Sequence, residues 1–220
     1  MNKTPKNDQQ EYPWWSIDED PGHPEQDPVI LRALGDIAGL RILDLGCGNG
    51  TMAIAMARLG ATVVGCDGSH SAIDQALLQE QSSLCKFRHV SVHDGPEQLN
   101  EEPFDIVVCQ EVIEHLYYPA DVGKFSEKIL KPEGRLIITT PYYGRVRCAL
   151  IGLTGRWDHH HCVWFDHGHI KFFSPRTLEK VIARTGFERT HFSGIGGLPF
   201  LWRTMLMEFR RSTEKSKALS

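Results

Sequence analysis

The stretch LDLGCGNG, Leu43 to Gly50, constrains this chain more than any other. An apolar run that reads as a strand, RILDLGC at 41–47, passes straight into glycines at 46, 48 and 50. A helical pattern follows over about 50–59 and stops at Gly60, a C-cap glycine. Glycine adopts φ > 0 and lets a ligand approach the backbone. In a doubly wound sheet the first strand-to-helix turn is a ligand-binding position. A glycine-rich turn alone also fits dinucleotide binding.

The rest of the chain keeps the same rhythm. A helix at about 28–38 precedes the first strand. ATVVGCD at 61–67 reads as a strand, 69–81 as a helix and KFRHVSV at 86–92 as a weaker strand. FDIVVCQ at 104–110 is apolar almost throughout, as in a buried parallel strand. A helix at 119–130 ends in the KPEG turn, and RLIITTP at 135–141 is a strand. A helix at 174–186 leads into two closing strands, FERTHFSG and FLWRTMLMEF, expected as an antiparallel hairpin at the sheet edge. Strands and helices alternating at this spacing predict βαβ units. The expected fold is α/β: a Rossmann-like, doubly wound, mostly parallel seven-stranded sheet with an antiparallel last strand.

Residues 1–27 are polar, carry four prolines and read as a flexible N-terminal arm or lid, with Tyr12, Trp14 and Trp15 its sticky patch. The main domain covers 28–210, with an insertion at about 142–172 rich in His, Arg and aromatics. Residues 211–220 read as a disordered tail. Long insertions in compact domains are usually functional.

Bulk charge narrows the partners. Net charge is −4, so the molecule is not a general polyanion binder and nucleic acid is not the expected partner. From Arg189 onward six Lys/Arg face two acids, a basic edge suited to an anionic substrate or to peripheral membrane contact. The six cysteines form no CxxC pair, which points to a reducing, cytoplasmic compartment. The N-terminus has no signal-peptide core, and no apolar run is long enough for a transmembrane segment.

Two carboxylates bear on the ligand. Asp44, in the strand leading to the glycines, would repel a pyrophosphate but attract a cationic ligand. Asp67 ends the second strand about 20 residues on, where an acid accepts ribose hydroxyls. A third feature is EVIEHL, Glu111 to Leu116. On a helix, Glu111, Glu114 and His115 fall within roughly 100° of one another, with Val112, Ile113 and Leu116 opposite. That is either an amphipathic turn with a solvated face, a metal-ligand cluster or an acid–base site.

LDLGCGNG, Asp67 and FDIVVCQEVIEH together resemble the class I S-adenosylmethionine-dependent methyltransferases. The resemblance spans about 28–210. It implies S-adenosyl-L-methionine as cofactor, bound by Asp44, Gly46, Gly48, Gly50, Asp67 and Gly68. Asp67 would take the ribose diol, Asp94 the adenine amino group, and Gln110 would line the methionine pocket. For Asp94 a helix N-cap is the alternative. EVIEHL would then face the transferred methyl, with Glu111, Glu114 and His115 as catalytic residues.

The ExxEH pattern is similar to two branches of this family, the ubiquinone-biosynthesis O-methyltransferases and the small-RNA 2′-O-methyltransferases. In both it implies a divalent metal (Mg²⁺, Mn²⁺ or Zn²⁺) on Glu111, Glu114 and His115 with a further histidine. The ubiquinone-type pattern places that histidine at His167, the RNA-type pattern at His169. Without a metal, His115 would serve as general base alone. The expected reaction is O-methylation of a small hydroxylated acceptor, phenolic, polyprenyl-phenol or sugar-like. RNA 2′-O-methylation and a non-catalytic cofactor-binding subunit are the alternatives. The run His159–His161 reads as an exposed loop feature.

Overall fold

The computed structural model describes residues 25–79, 82–161 and 168–212. Trp14 and Trp15, His167 and the tail beyond 212 lie outside the described residues. The alternation expected from the sequence is what folds. In chain order the elements are α1 (Asp27–Leu34), β1 (Arg41–Leu45), α2 (Thr51–Arg58), β2 (Thr62–Asp67), α3 (His70–Leu78) and β3 (Cys85–His89). Then come β4 (Phe104–Gln110), α4 (Ala120–Ile129), β5 (Leu130–Pro141), α5 (Arg145–Leu153), α6 (Trp157–His161), α7 (Pro175–Ala183), β6 (Phe187–Ile195) and β7 (Thr204–Arg211).

The seven strands form one sheet in the order β3-β2-β1-β4-β5-β7-β6. β1 to β5 pair in parallel, and β7 runs antiparallel to both β5 and β6. The direction of winding reverses between β1 and β4. All five parallel strands point their carboxyl ends at this switch point, where a ligand crevice opens in such sheets.

Alternate residues of each strand face opposite layers. Leu43, Leu45, Val107, Cys109, Leu136 and Ile138 pack with Phe125, Leu178 and Ile182 of α4 and α7. Ile42, Val63, Ile106, Val108 and Ile137 pack with Ile30, Met52, Met56 and Ile73 of α1, α2 and α3. Each buried Leu, Ile or Phe contributes on the order of 1.5–3 kcal/mol, so two complete layers hold the edge rigid.

Several boundaries shift from the sequence expectation. α1 starts at Asp27 with proline at its first turn, so Gln26 and Asp27 join the folded body instead of the arm. Gln110 Nε2 donates to Asp27 Oδ1 at 2.9 Å and ties them there. The insertion forms α5 and α6, and His161 on α6 is buried, stacked on Trp157 at 3.8 Å. The basic C-terminal edge is also neutralised locally. Arg189 pairs with Glu179, Arg203 with Glu25, Arg210 with Glu208 and Arg211 with Glu127. No helix among the described residues is long and apolar enough to cross a membrane.

Candidate active site at the carboxyl edge of the sheet

The glycine loop leaves β1 in the left-handed region at Gly46, Gly48 and Gly50, with φ of +78°, +52° and +83°. A side chain at Gly46 would strike Val112 of the turn after β4, so the glycine also lets the two loops touch. Asp67 at the end of β2 organises the loop from the side. Its carboxylate accepts from the Gly48 N–H at 3.0 Å and from the Ser69 N–H at 2.8 Å. Burial pushes its pKa up, and those two N–H bonds oppose the rise. Each oxygen retains a further acceptor direction, as a diol requires.

Asp44 lies beneath this loop, 1% exposed, and its Oδ2 has no hydrogen-bond partner among the described residues. Burial first, then the charges of Asp67 and Asp27, push its carboxyl up to about 7. An orphaned buried carboxylate oxygen beneath a glycine turn fits a cationic ligand group. Gln110 closes β4 and is committed to Asp27. Gly68 follows Asp67 at the exposed rim. Asp94 does not cap a helix. The short 3₁₀ turn Pro96–Leu99 has Gly95 at its N-cap, and Asp94 Oδ2 instead accepts from the Ser91 N–H at 3.1 Å. The carboxylate thus stays at the exposed end of β3, stiffened by its own loop.

EVIEHL is not a solvated helical turn. Glu111 takes φ of +52°, a strained value for a residue with a side chain, and Ile113–His115 form a single 3₁₀ turn. Glu114 is fully buried. Its Oε2 accepts from Thr140 Oγ1 at 3.0 Å, while Oε1 has no hydrogen-bond partner among the described residues. Burial and the neighbouring Glu111 push its pKa well above the carboxylate range. Burial pushes Glu111 up to about 7, against hydrogen bonds from Glu114, Thr139 and Gln26. Like charges this close oppose each other's ionisation.

The chain returns to this turn at 168–173. The Glu114 carbonyl accepts from the Ile170 and Lys171 N–H groups at 3.0 and 2.9 Å. That clamp brings His169 Nε2 to 3.9 Å from Glu114 Oε1 and its ring to 4.9 Å from that of His115. Burial, and to a lesser extent His115, holds the His169 pKa down at about 4. Glu114, His115 and His169 each offer one ligand atom, all within 4.8 Å of one another. Thr139, Thr140, Gln26 and Asp27 were not legible as site residues. Threonines at alternate faces of a strand end are common, and only three-dimensional placement singles these out.

A family model described as a methyltransferase domain matches residues 23–191. The ubiquinone biosynthesis O-methyltransferase of Vibrio cholerae is 29% identical over 194 residues, 85% of this chain and 79% of that protein. Its counterpart of the same name in Thiobacillus denitrificans is 31% identical over 189 residues, 83% of this chain and 81% of its own. Among solved structures, magnesium protoporphyrin IX methyltransferase from Synechocystis with bound SAH superposes with a TM-score of 0.63 at 20% identity, covering 84% of this chain and 80% of that one. An S-adenosylmethionine dependent methyltransferase from Mesorhizobium loti gives 0.67 at 16% identity, covering 85% and 98%. Sheet order, glycine loop, Asp67 and these matches agree: the chain belongs to the class I S-adenosylmethionine-dependent methyltransferases.

Proposed function

We propose that the enzyme methylates a hydroxyl of a small acceptor, with a phenolic or polyprenyl-phenol acceptor the leading class and a sugar-like hydroxyl the next. The observation that carries this is the convergence of Glu114, His115 and His169 just beyond the end of β4. The similarity to proteins named O-methyltransferases supports it. When bound, S-adenosylmethionine supplies a methyl group on a cationic sulfur. Asp67 holds the ribose diol, and the loop at Gly46, Gly48 and Gly50 takes the methionine part. Asp44 offers negative charge under it, and Asp94 and Gly68 border the adenine end. Gln110 lines the methionine pocket.

Without a bound ion, the acceptor's proton would pass to a ring nitrogen of His115 as general base. Thr140 and the clamp on the Glu114 carbonyl keep the 3₁₀ turn in place, which fixes the base relative to the loop.

The donor set also fits a divalent ion. Glu111 Oε1 and Glu114 Oε1 are both buried without hydrogen-bond partners among the described residues, and His169 is kept neutral. Two carboxylates and two imidazoles suit Mg²⁺, Mn²⁺ or Zn²⁺. Glu114, His115 and His169 would hold it; Glu111 lies outside that three-residue cluster and adjoins it through Glu114. When bound, such an ion lowers the pKa of an acceptor hydroxyl. The test is methyl transfer from labelled cofactor to a panel of catechols and phenols, with the product's methylated atom read by mass spectrometry. Label on nitrogen or carbon, or none on any hydroxyl acceptor, would overturn the proposal.

His169 is the position used by the small-RNA pattern, which favours RNA 2′-O-methylation as a second reading. Salt-dependent binding of a 3′-end RNA tests it.

A further inference from the structure

Behind the Glu114 clamp lies a cavity of about 300 Å³. Its walls are Tyr143, Cys148 and Ile151, Trp157 and His161, and Phe172, with Ser174 and Thr177 at one end. The four rings brace one another: Tyr143 against Phe172 at 5.1 Å, His161 against Phe172 at 4.7 Å and His161 on Trp157 at 3.8 Å. The polar groups at the rim are already committed. Ser174 and Thr177 satisfy each other in a capping box at the start of α7. His161 Nδ1 donates to the Trp157 carbonyl at 2.9 Å. An occupant therefore meets mainly ring faces and aliphatic carbon, with the Cys148 thiol on the solvent side.

The cavity adjoins the chemistry. Tyr143 is three residues beyond Thr140, and Phe172 three residues beyond His169. Three residues span at most about 11 Å. The Tyr143 N–H donates to the Phe173 carbonyl at 2.9 Å and locks the two connecting segments side by side. A molecule with its hydroxyl at His115 and an apolar substituent would reach the cavity with that substituent. Size limits what enters. A cavity of about 150 Å³ takes a benzene, so twice that volume takes roughly a dozen non-hydrogen atoms.

We propose that this cavity is an acceptor subsite for one compact apolar group, a substituted ring or a branched chain of about ten carbons, borne by the hydroxylated part of the substrate. This rests on the hydroxyl-acceptor reading above.

Cys148 provides a readout that does not depend on turnover. It lines the cavity yet is exposed to solvent, whereas Cys47, Cys66, Cys85 and Cys109 are buried. The full chain is alkylated with iodoacetamide in increasing 4-tert-butylphenol, and the modification rate at Cys148 is followed by peptide mass mapping. The probe is expected to slow alkylation saturably, at least about fivefold, in the wild-type protein. Ile151→Trp, which fills the cavity, is expected to abolish that protection. An unchanged rate in the wild type, or protection that persists in Ile151→Trp, overturns the subsite. In turnover, the ratio of kcat/KM for 4-tert-butylcatechol over catechol should exceed about 10, the scale on which apolar pockets discriminate, and fall toward 1 in Ile151→Trp. A wild-type ratio near 1 also overturns it. Protection of Cys148 without methylation of any hydroxyl acceptor instead refutes the O-methylation reading and leaves the cavity's ligand class standing.

Discussion

Glu114 Oε1 stands 3.9 Å from His169 Nε2, across a loop that the Glu114 carbonyl itself holds in place through Ile170 and Lys171. One residue therefore both anchors the returning segment, through its backbone, and faces its histidine, through its side chain. The two roles separate by mutation. Glu114→Gln keeps the backbone clamp and the shape but removes the carboxyl group that can ionise, accept a proton or ligate an ion. Turnover is expected to fall by about 10²–10⁴, the scale of a lost acid–base or ligand function, while S-adenosylhomocysteine still binds with near wild-type affinity by calorimetry. Parallel loss of both would mean that Glu114 supports the fold or the cofactor instead.

Asp67 accepts from two loop N–H groups and is proposed to take the ribose diol. Asp67→Ala should weaken S-adenosylhomocysteine binding by roughly 1.5–3 kcal/mol, as for hydrogen bonds to a charged group. Calorimetry showing unchanged affinity would remove Asp67 from the cofactor site.

Asp44 makes the cofactor-free protein sensitive to pH. Its folded pKa is raised to about 7 from 3.8. The stability it contributes is therefore complete below the unfolded value and is lost as pH rises through about 7, at about 1.4 kcal/mol for each unit. Glu111 and Glu114 shift in the same direction, so the variant Asp44→Asn isolates the Asp44 share. The variant's Tm should decline less steeply between pH 5 and 8 than the wild type's. Identical slopes would show that Asp44 ionises normally in the folded protein.

Gly46 links the cofactor loop to the turn after β4. Gly46→Ala places a side chain at φ +78° and against Val112. Left-handed strain and overpacking each cost about 1–3 kcal/mol. Denaturant melts should show a loss of that order, with weaker cofactor binding. A variant as stable as the wild type would show that the two loops move apart freely.

The fold was legible because β1, β2, β4 and the second half of β5 are near-continuous apolar runs, and most helices are bounded by glycine, proline or a serine cap such as Ser174. Asp67 was legible because a strand end after a glycine turn is a fixed place in a doubly wound sheet. EVIEHL was legible as a cluster but not as a shape. A helix places its two glutamates on a solvated face, whereas the left-handed backbone at Glu111 turns both inward, toward Thr139 and Thr140 of the neighbouring strand. That conformation is enforced by contacts across the sheet, which no local pattern encodes. The choice between His167 and His169 was equally non-local. The clamp on the Glu114 carbonyl sets His169 against the turn, while His167 lies outside the described residues.

The central proposal is that Glu114, His115 and His169, with Glu111 beside Glu114, form a metal-assisted hydroxyl-methylation site. The most direct measurement is methyl transfer to catechol by protein treated with chelator and then resupplied with Mg²⁺, Mn²⁺ or Zn²⁺, alongside calorimetric titration of the same ions. The account predicts that activity vanishes with chelator, returns with one of these ions, and that Glu114→Gln no longer binds the ion. Full catechol methylation in chelator, with His115→Ala alone costing about 10²–10⁴ in rate, would contradict it and leave EVIEHL as a metal-free general-base turn.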